Sequence, residues 1–242
     1  MNELLQQVRV IDPVSGSDRI ADVLIVDGII RAVEDKIYEW PPETSVRDCQ
    51  GLVLGPGLVD LYSHSGEPGF EERETLVSLS LAAAAGGFTR LAILPDTKPA
   101  IDNPANLALL RRGKSEFNST LSPAHLPTCL PAHLHFWGAL TLGVKGEEMT
   151  QLAELASAGV VGFADGQPLS NLTLVRRLLE YLQPLGKPVA LWPCDRVLTG
   201  NGVMREGPDS ILYGLQGSPA IAETSPLAAL LEVVEATGTP VH

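Results

Sequence analysis

A short stretch near residue 60 combines residue types that could carry out chemistry. It reads DLYSHSGEPGF, residues 60–70, and it follows the apolar run LVLGPGLV. Residues at positions i and i+2 of a strand point to the same side, so a His-x-His pair at a strand end would offer two imidazoles to one metal ion. Here the two positions are Tyr62 and His64. The stretch is therefore either a metal site with one ligand replaced or an ordinary loop with one hydrogen-bonding histidine.

The other histidines make weaker candidates for a metal site. His133 and His135 repeat the i, i+2 spacing in AHLHFW, and we interpret them as core or hydrogen-bonded residues. His125 lies in SPAHLP, which predicts a loop. The segment RRGKS lacks the upstream glycine of a phosphate-binding loop, and GNGVMREG lacks the glycine spacing of a dinucleotide fingerprint. These patterns argue against a nucleotide-binding protein of either class.

The elements that must position residues 60–70 begin with a region of β character. The runs ADVLIV and IIRAVED flank Asp27 and Gly28, and an Asp-Gly pair between such runs predicts a β-hairpin. The Pro-rich segment EWPPETS follows these runs. We therefore predict a small β-sandwich-like unit over residues 1–54.

From residue 55 to residue 242, strand and helix patterns alternate five times, and a sixth strand begins at TPVH. Apolar strand runs with helices between them indicate a parallel sheet covered by helices. A (β/α)₈ TIM-type barrel and an open doubly wound sheet both fit this pattern. We predict the barrel with five to six of its units present. We also expect either that the chain is a fragment of a longer protein or that the last units come from elsewhere.

Composition narrows the class of protein. The 242 residues are 45% hydrophobic and carry a formal net charge of −12, which disfavours nucleic-acid and anionic-membrane partners. The three cysteines form no metal-binding or disulfide pattern and suit a reducing compartment; they are Cys49, Cys129 and Cys194. No signal-peptide pattern or membrane-spanning apolar run is present. We expect a cytoplasmic protein.

Several segments together resemble a known family. PGLVDLYSHSGEPGFEERETL is followed by AAAAGGFTRLAILPDTKPAIDNP, and later by GALTLGVKGEEM, SAGVVGFADGQPL and LTGNGVMREG in order. This series resembles the dihydroorotases of the cyclic amidohydrolase superfamily over essentially the whole chain. The resemblance implies a (β/α)₈ barrel with one or two zinc ions. It also implies reversible ring closure of carbamoyl aspartate to dihydroorotate, with a metal-bound hydroxide as the nucleophile in the hydrolytic direction.

Carried over position by position, the resemblance implies an altered site at the first two strands. His64 matches the second histidine of the metal pair, and Tyr62 stands in place of the first. A phenol with an ordinary pKa near 10 is mostly neutral at pH 7 and is a poor zinc ligand. Gly66 replaces the arginine that binds the substrate carboxylate, and Asp96 replaces a substrate-binding asparagine with a negative charge.

The later strands repeat this pattern of partial loss. Asp165, in FADG, matches a metal-binding aspartate of the family, although Asp-Gly is also a common turn pair. Trp192 stands in place of a further metal histidine, and its indole offers no lone pair to a metal. His242 lies a few residues short of the position of one more ligand histidine. We therefore predict His64 and Asp165 as the residual metal positions, with zinc absent or weakly bound.

Three functions remain open on these residues. The first is a non-catalytic dihydroorotase-like protein that acts as a structural partner of aspartate carbamoyltransferase, as the resemblance implies for members without the histidine pair. The second is a working metal-dependent dihydroorotase or cyclic amidohydrolase with a reduced or variant metal site. The third is a metal-free small-molecule binder whose apolar pocket is lined by Trp192, Tyr62 and Phe70. Dimers are common in the family, so a homodimer is also expected.

Overall fold

The computed structural model of the protein describes residues 2–111 and 131–242. The chain divides into two compact units, Met1–Leu58 and Val59–His242. His125 and Cys129 lie outside the described residues, as does part of the RRGKS segment. The unit boundary falls a few residues beyond residue 54, inside a strand that leads directly to the stretch of interest.

The first unit is built on one five-stranded sheet in the order β3-β2-β1-β4, with β5 also paired to β1. The sequence suggested a sandwich-like unit, whereas the described strands join into this single sheet. Its strands are β1 (Glu3–Asp12), β2 (Ser17–Val26), β3 (Ile29–Glu34), β4 (Ser45–Asp48) and β5 (Val53–Leu54).

The turn between β2 and β3 confirms the predicted hairpin. Val26 pairs with Ile29 in antiparallel register, which leaves a two-residue loop. Asp27 and Gly28 both adopt positive φ angles, 52° and 75°, as the favoured mirror-image hairpin turn requires. The Asp-Gly pair therefore supplies the local conformation of this turn, and the backbone N–H of Asp27 also donates to the side-chain oxygen of Asn2 over 3.3 Å.

The second unit contains a parallel sheet that continues beyond its three longest strands. These strands are β6 (Leu58–Ser63), β7 (Phe88–Ile93) and β8 (His133–Phe136), in that order. Parallel bridges then link Gly138 to Phe163, Phe163 to Val189 and Val189 to Val241. Six strand positions thus follow one another along the sheet, which confirms the predicted parallel α/β arrangement. The described residues do not close it into an eight-stranded barrel, since their pairings end at β6 and at Val241.

Helices follow the strands along the chain, and most of them contribute buried side chains to the core on one face of the sheet. The helices are α1 (Leu76–Ala85), α2 (104–111), α3 (Leu152–Ala158), α4 (Leu172–Leu182), α5 (Arg196–Thr199), α6 (Pro208–Leu212) and α7 (Ile221–Thr237). Two short strands, β9 (Met204–Arg205) and β10 (Gly217–Ser218), pair with each other. In the described part of the chain, no helix is long and apolar enough to cross a membrane.

The main core fills the space between the sheet and these helices. It includes Ile93, Phe163 and Leu178, which are fully or almost fully buried. A second, smaller cluster of Ala92, Leu94, Trp137, Ala164 and Ala190 packs separately from it. Alternate residues of a strand point to opposite faces, so the sheet separates the two clusters.

Candidate functional site

His64 and Asp96 meet just beyond the ends of neighbouring strands. His64 directly follows β6, and Asp96 lies three residues beyond β7. The backbone N–H of Leu94 donates to the carbonyl of Ser63 over 2.8 Å and fixes the two strand ends together. The His64 Nδ1 atom then lies 2.9 Å from Asp96 Oδ2. His64, which the resemblance matches to one histidine of a metal pair, is therefore held by Asp96, which it matches to a substrate-binding asparagine.

The other oxygen of Asp96 is in a less favourable position. Asp96 Oδ1 is buried and has no hydrogen-bond partner among the described residues. A buried acceptor without a partner costs free energy comparable to a lost hydrogen bond. The carboxylate is thus positioned by His64 at one oxygen and poorly solvated at the other.

Tyr62 lies beside this pair as a neutral phenol. Its ring meets the His64 ring edge-on, with centroids 6.4 Å apart and an interplanar angle of 82°. Burial raises the pKa of Tyr62 above 10, and the negative charges of Asp96 and Asp165 raise it further. Because the phenolate form is disfavoured in these surroundings, Tyr62 keeps its proton at neutral pH, and a neutral phenol is a poorer zinc ligand than an imidazole.

Asp165 is buried and its carboxylate is occupied by hydrogen bonds from the chain itself. It is 1% exposed, and its Oδ1 accepts from the backbone N–H groups of Leu140 and Thr141 over 2.7 and 3.0 Å. The hydroxyl of Thr141 donates to Oδ2. Burial raises the pKa of Asp165, and the hydrogen bonds from Thr141 and Leu140 act against that increase. In this arrangement Asp165 fixes the loop that follows β8.

Gly66 occupies a position that has no space for a side chain. A Cβ atom there would lie 2.5 Å from the carbonyl oxygen of Glu74 and 2.6 Å from that of Phe70. The backbone N–H of Phe70 also donates to the Gly66 carbonyl over 2.6 Å. The loop has closed over the position where the resemblance implies an arginine, so the loss of that side chain is built into the backbone.

Trp192, where the resemblance implies a metal-binding histidine, carries the guanidinium of Arg196 over its ring. The Arg196 guanidinium carbon lies 5.4 Å from the centre of the indole, and Arg196 also donates to the side chain of Gln167. Asp195 caps the first turn of α5 and so places Arg196 at the start of that helix. No sequence motif indicated Arg196 or Gln167, because their contact joins two loops 29 residues apart.

A cavity of about 720 Å³ opens on the face of the sheet opposite the main core. Tyr62, His64 and Trp192 line it, as the metal-free binding hypothesis expects for two of its three aromatic residues. Phe70 is not among the lining residues and instead packs against the guanidinium of Arg73, 4.8 Å away. His135 and His242 also line the cavity, whereas His133 is exposed on β8 and lies outside its lining.

Comparison with known proteins identifies the family. The profile of the dihydro-orotase-like family matches residues 51–242. A "Probable dihydroorotase-like protein" from Synechocystis sp. is 42% identical over 98% of this chain and 56% of its own length. A "Dihydroorotase" from Pelobacter propionicus is 39% identical over 100% of this chain and 54% of its own length. The chain belongs to the dihydroorotase-like family.

Solved structures show the same fold at much lower sequence identity. L-hydantoinase (dihydropyrimidinase) from Arthrobacter aurescens matches 99% of this chain and 51% of its own length, with a TM-score of 0.71 and 17% identity. A crystal structure of D-hydantoinase matches 100% of this chain and 51% of its own length, with a TM-score of 0.69 and 17% identity. This dihydroorotase-like chain spans about half the length of the relatives it matches.

The described residues do not fit the zinc site that the resemblance implies. No group of three histidine, cysteine, aspartate or glutamate side chains within residues 2–111 and 131–242 is arranged to hold a metal ion. A zinc site uses three or four such ligands. The side chains at the matched positions are a neutral phenol at Tyr62, a hydrogen-bonded carboxylate at Asp165 and an indole at Trp192. His64 alone retains an imidazole there, and its Nδ1 atom contacts Asp96.

Proposed function

We propose that this dihydroorotase-like chain is non-catalytic and serves as a structural partner of aspartate carbamoyltransferase in pyrimidine biosynthesis. The observation that carries the first part is the chemical state of the matched ligand positions. Tyr62 keeps its proton, and Asp165 has both oxygens occupied. Trp192 has no lone pair for a metal. A water molecule at this site would therefore lack the metal that lowers its pKa toward neutrality.

The substrate positions support the same proposal. A carboxylate is best bound by the two parallel hydrogen bonds of a guanidinium, and the backbone around Gly66 leaves no room for that side chain. Asp96 adds a negative charge where an anionic substrate would approach. At a separation of about 4 Å this repulsion costs roughly 1–4 kcal/mol between bulk water and a protein surface. Metal binding and substrate binding are therefore weakened at different residues.

The proposed partnership rests on the resemblance, since dihydroorotase-like members without the histidine pair are known as partners of aspartate carbamoyltransferase. The persistence of the fold despite the altered site agrees with a role that needs the scaffold. The parallel sheet and its helices retain a continuous core. A surface used for assembly requires such a framework, and the framework can persist without a zinc site.

A turnover assay tests the non-catalytic part of the proposal. Purified protein supplied with zinc should neither hydrolyse dihydroorotate nor cyclise carbamoyl aspartate above the buffer rate. The dihydroorotase of Pelobacter propionicus, assayed in parallel, serves as the positive control. Turnover of dihydroorotate or of a hydantoin that scales with protein and is abolished by a chelator would establish the alternative, a working metal-dependent amidohydrolase.

Size-exclusion chromatography tests the partnership. The chain should co-elute with the aspartate carbamoyltransferase of the same cell at micromolar concentrations, which a dissociation constant in that range predicts. Each protein run alone provides the reference volumes. Separate elution of the two proteins at those concentrations would contradict the partnership without bearing on catalysis.

A further inference from the structure

We draw no further inference here: the strongest candidate, the run of exposed apolar side chains at and just after α6 (Ile211, Leu212 and Tyr213), carries none, because nothing in the structure shows what covers it.

Discussion

The two ends of the cavity differ in how their polar groups are satisfied. At the strand ends, His64 is paired with Asp96, and Asp165 is occupied by Leu140 and Thr141. Toward the strand beginnings, Arg90 faces an apolar space without a lining carboxylate among the described residues. The comparison shows that the polar side chains at the strand ends are engaged in contacts within the chain, whereas the lining toward the strand beginnings is apolar apart from Arg90.

The largest expected effect concerns Asp165. Asp165→Ala would leave two backbone N–H groups and the Thr141 hydroxyl without their acceptor in a buried loop. We expect the free energy of unfolding to fall by about 3 kcal/mol, since each buried orphan costs roughly 1–3 kcal/mol and the loop can relax. Urea denaturation followed by circular dichroism measures the change.

The matched control for that experiment is Asp165→Asn. The amide keeps an oxygen that can accept from Leu140 and Thr141, so its loss should be about 1 kcal/mol or less. If Asp165→Ala lowered the free energy of unfolding as little as Asp165→Asn does, Asp165 would not have this structural role. If Asp165 instead served as a zinc ligand, its substitution would change the amount of bound zinc and not the stability of the loop.

The pH dependence of Asp165 follows from its raised pKa. Burial makes the pKa of this carboxyl higher in the folded than in the unfolded chain, so the folded state binds its proton more tightly. Its contribution to stability is present below the unfolded pKa and is lost as the pH rises through the folded pKa. Relative to Asp165→Asn, the unmodified protein should lose stability across that window. A relative gain over the same window would contradict the direction of the pKa shift.

An intermediate effect is expected at Gly66. Gly66→Ala would place a Cβ atom 2.5 Å from the Glu74 carbonyl oxygen, and relief of such overpacking costs about 1–3 kcal/mol. Gly207→Ala is the control, because a Cβ at Gly207 has open space around it and the backbone there is extended. Equal unfolding midpoints for the two variants would show that the loop around Gly66 adjusts without cost.

The smallest expected effect concerns the His64–Asp96 contact. His64 is 61% exposed, so solvent screens the pair and we expect a coupling of only about 0.5 kcal/mol. A double-mutant cycle with His64→Ala and Asp96→Asn measures that coupling from denaturation midpoints. A coupling of several kcal/mol would indicate that the pair is a main support of the strand ends.

The sequence predicted those features that depend on nearby residues. The Asp27–Gly28 hairpin follows from two adjacent positions, and the alternation of strands and helices follows from local periodicity. The replacements at Tyr62, Gly66, Asp96 and Trp192 come from the motifs of the resemblance and stay predictions. The side-chain environments could not be predicted from the motifs, because Asp165 receives its hydrogen bonds from residues 24 and 25 positions earlier.

The position of Arg90 on the sheet also follows from the strand pattern. In FTRLAI, Arg90 and Ala92 are two positions apart and must point to the same side of β7. Local spacing was therefore sufficient to place Arg90 on this face of the sheet. The closure of the loop over Gly66 could not be predicted in this way, since it depends on the path of the backbone at Phe70 and Glu74.

The zinc content of the purified protein tests the central claim most directly. The protein is dialysed against excess zinc, passed through a desalting column and analysed by mass spectrometry, with the Pelobacter propionicus dihydroorotase treated identically. The altered ligand positions predict less than about a tenth of an equivalent of zinc per chain, because metal affinity requires several deprotonated ligands at once. One or more equivalents retained by the chain would contradict the account of a site that no longer binds metal.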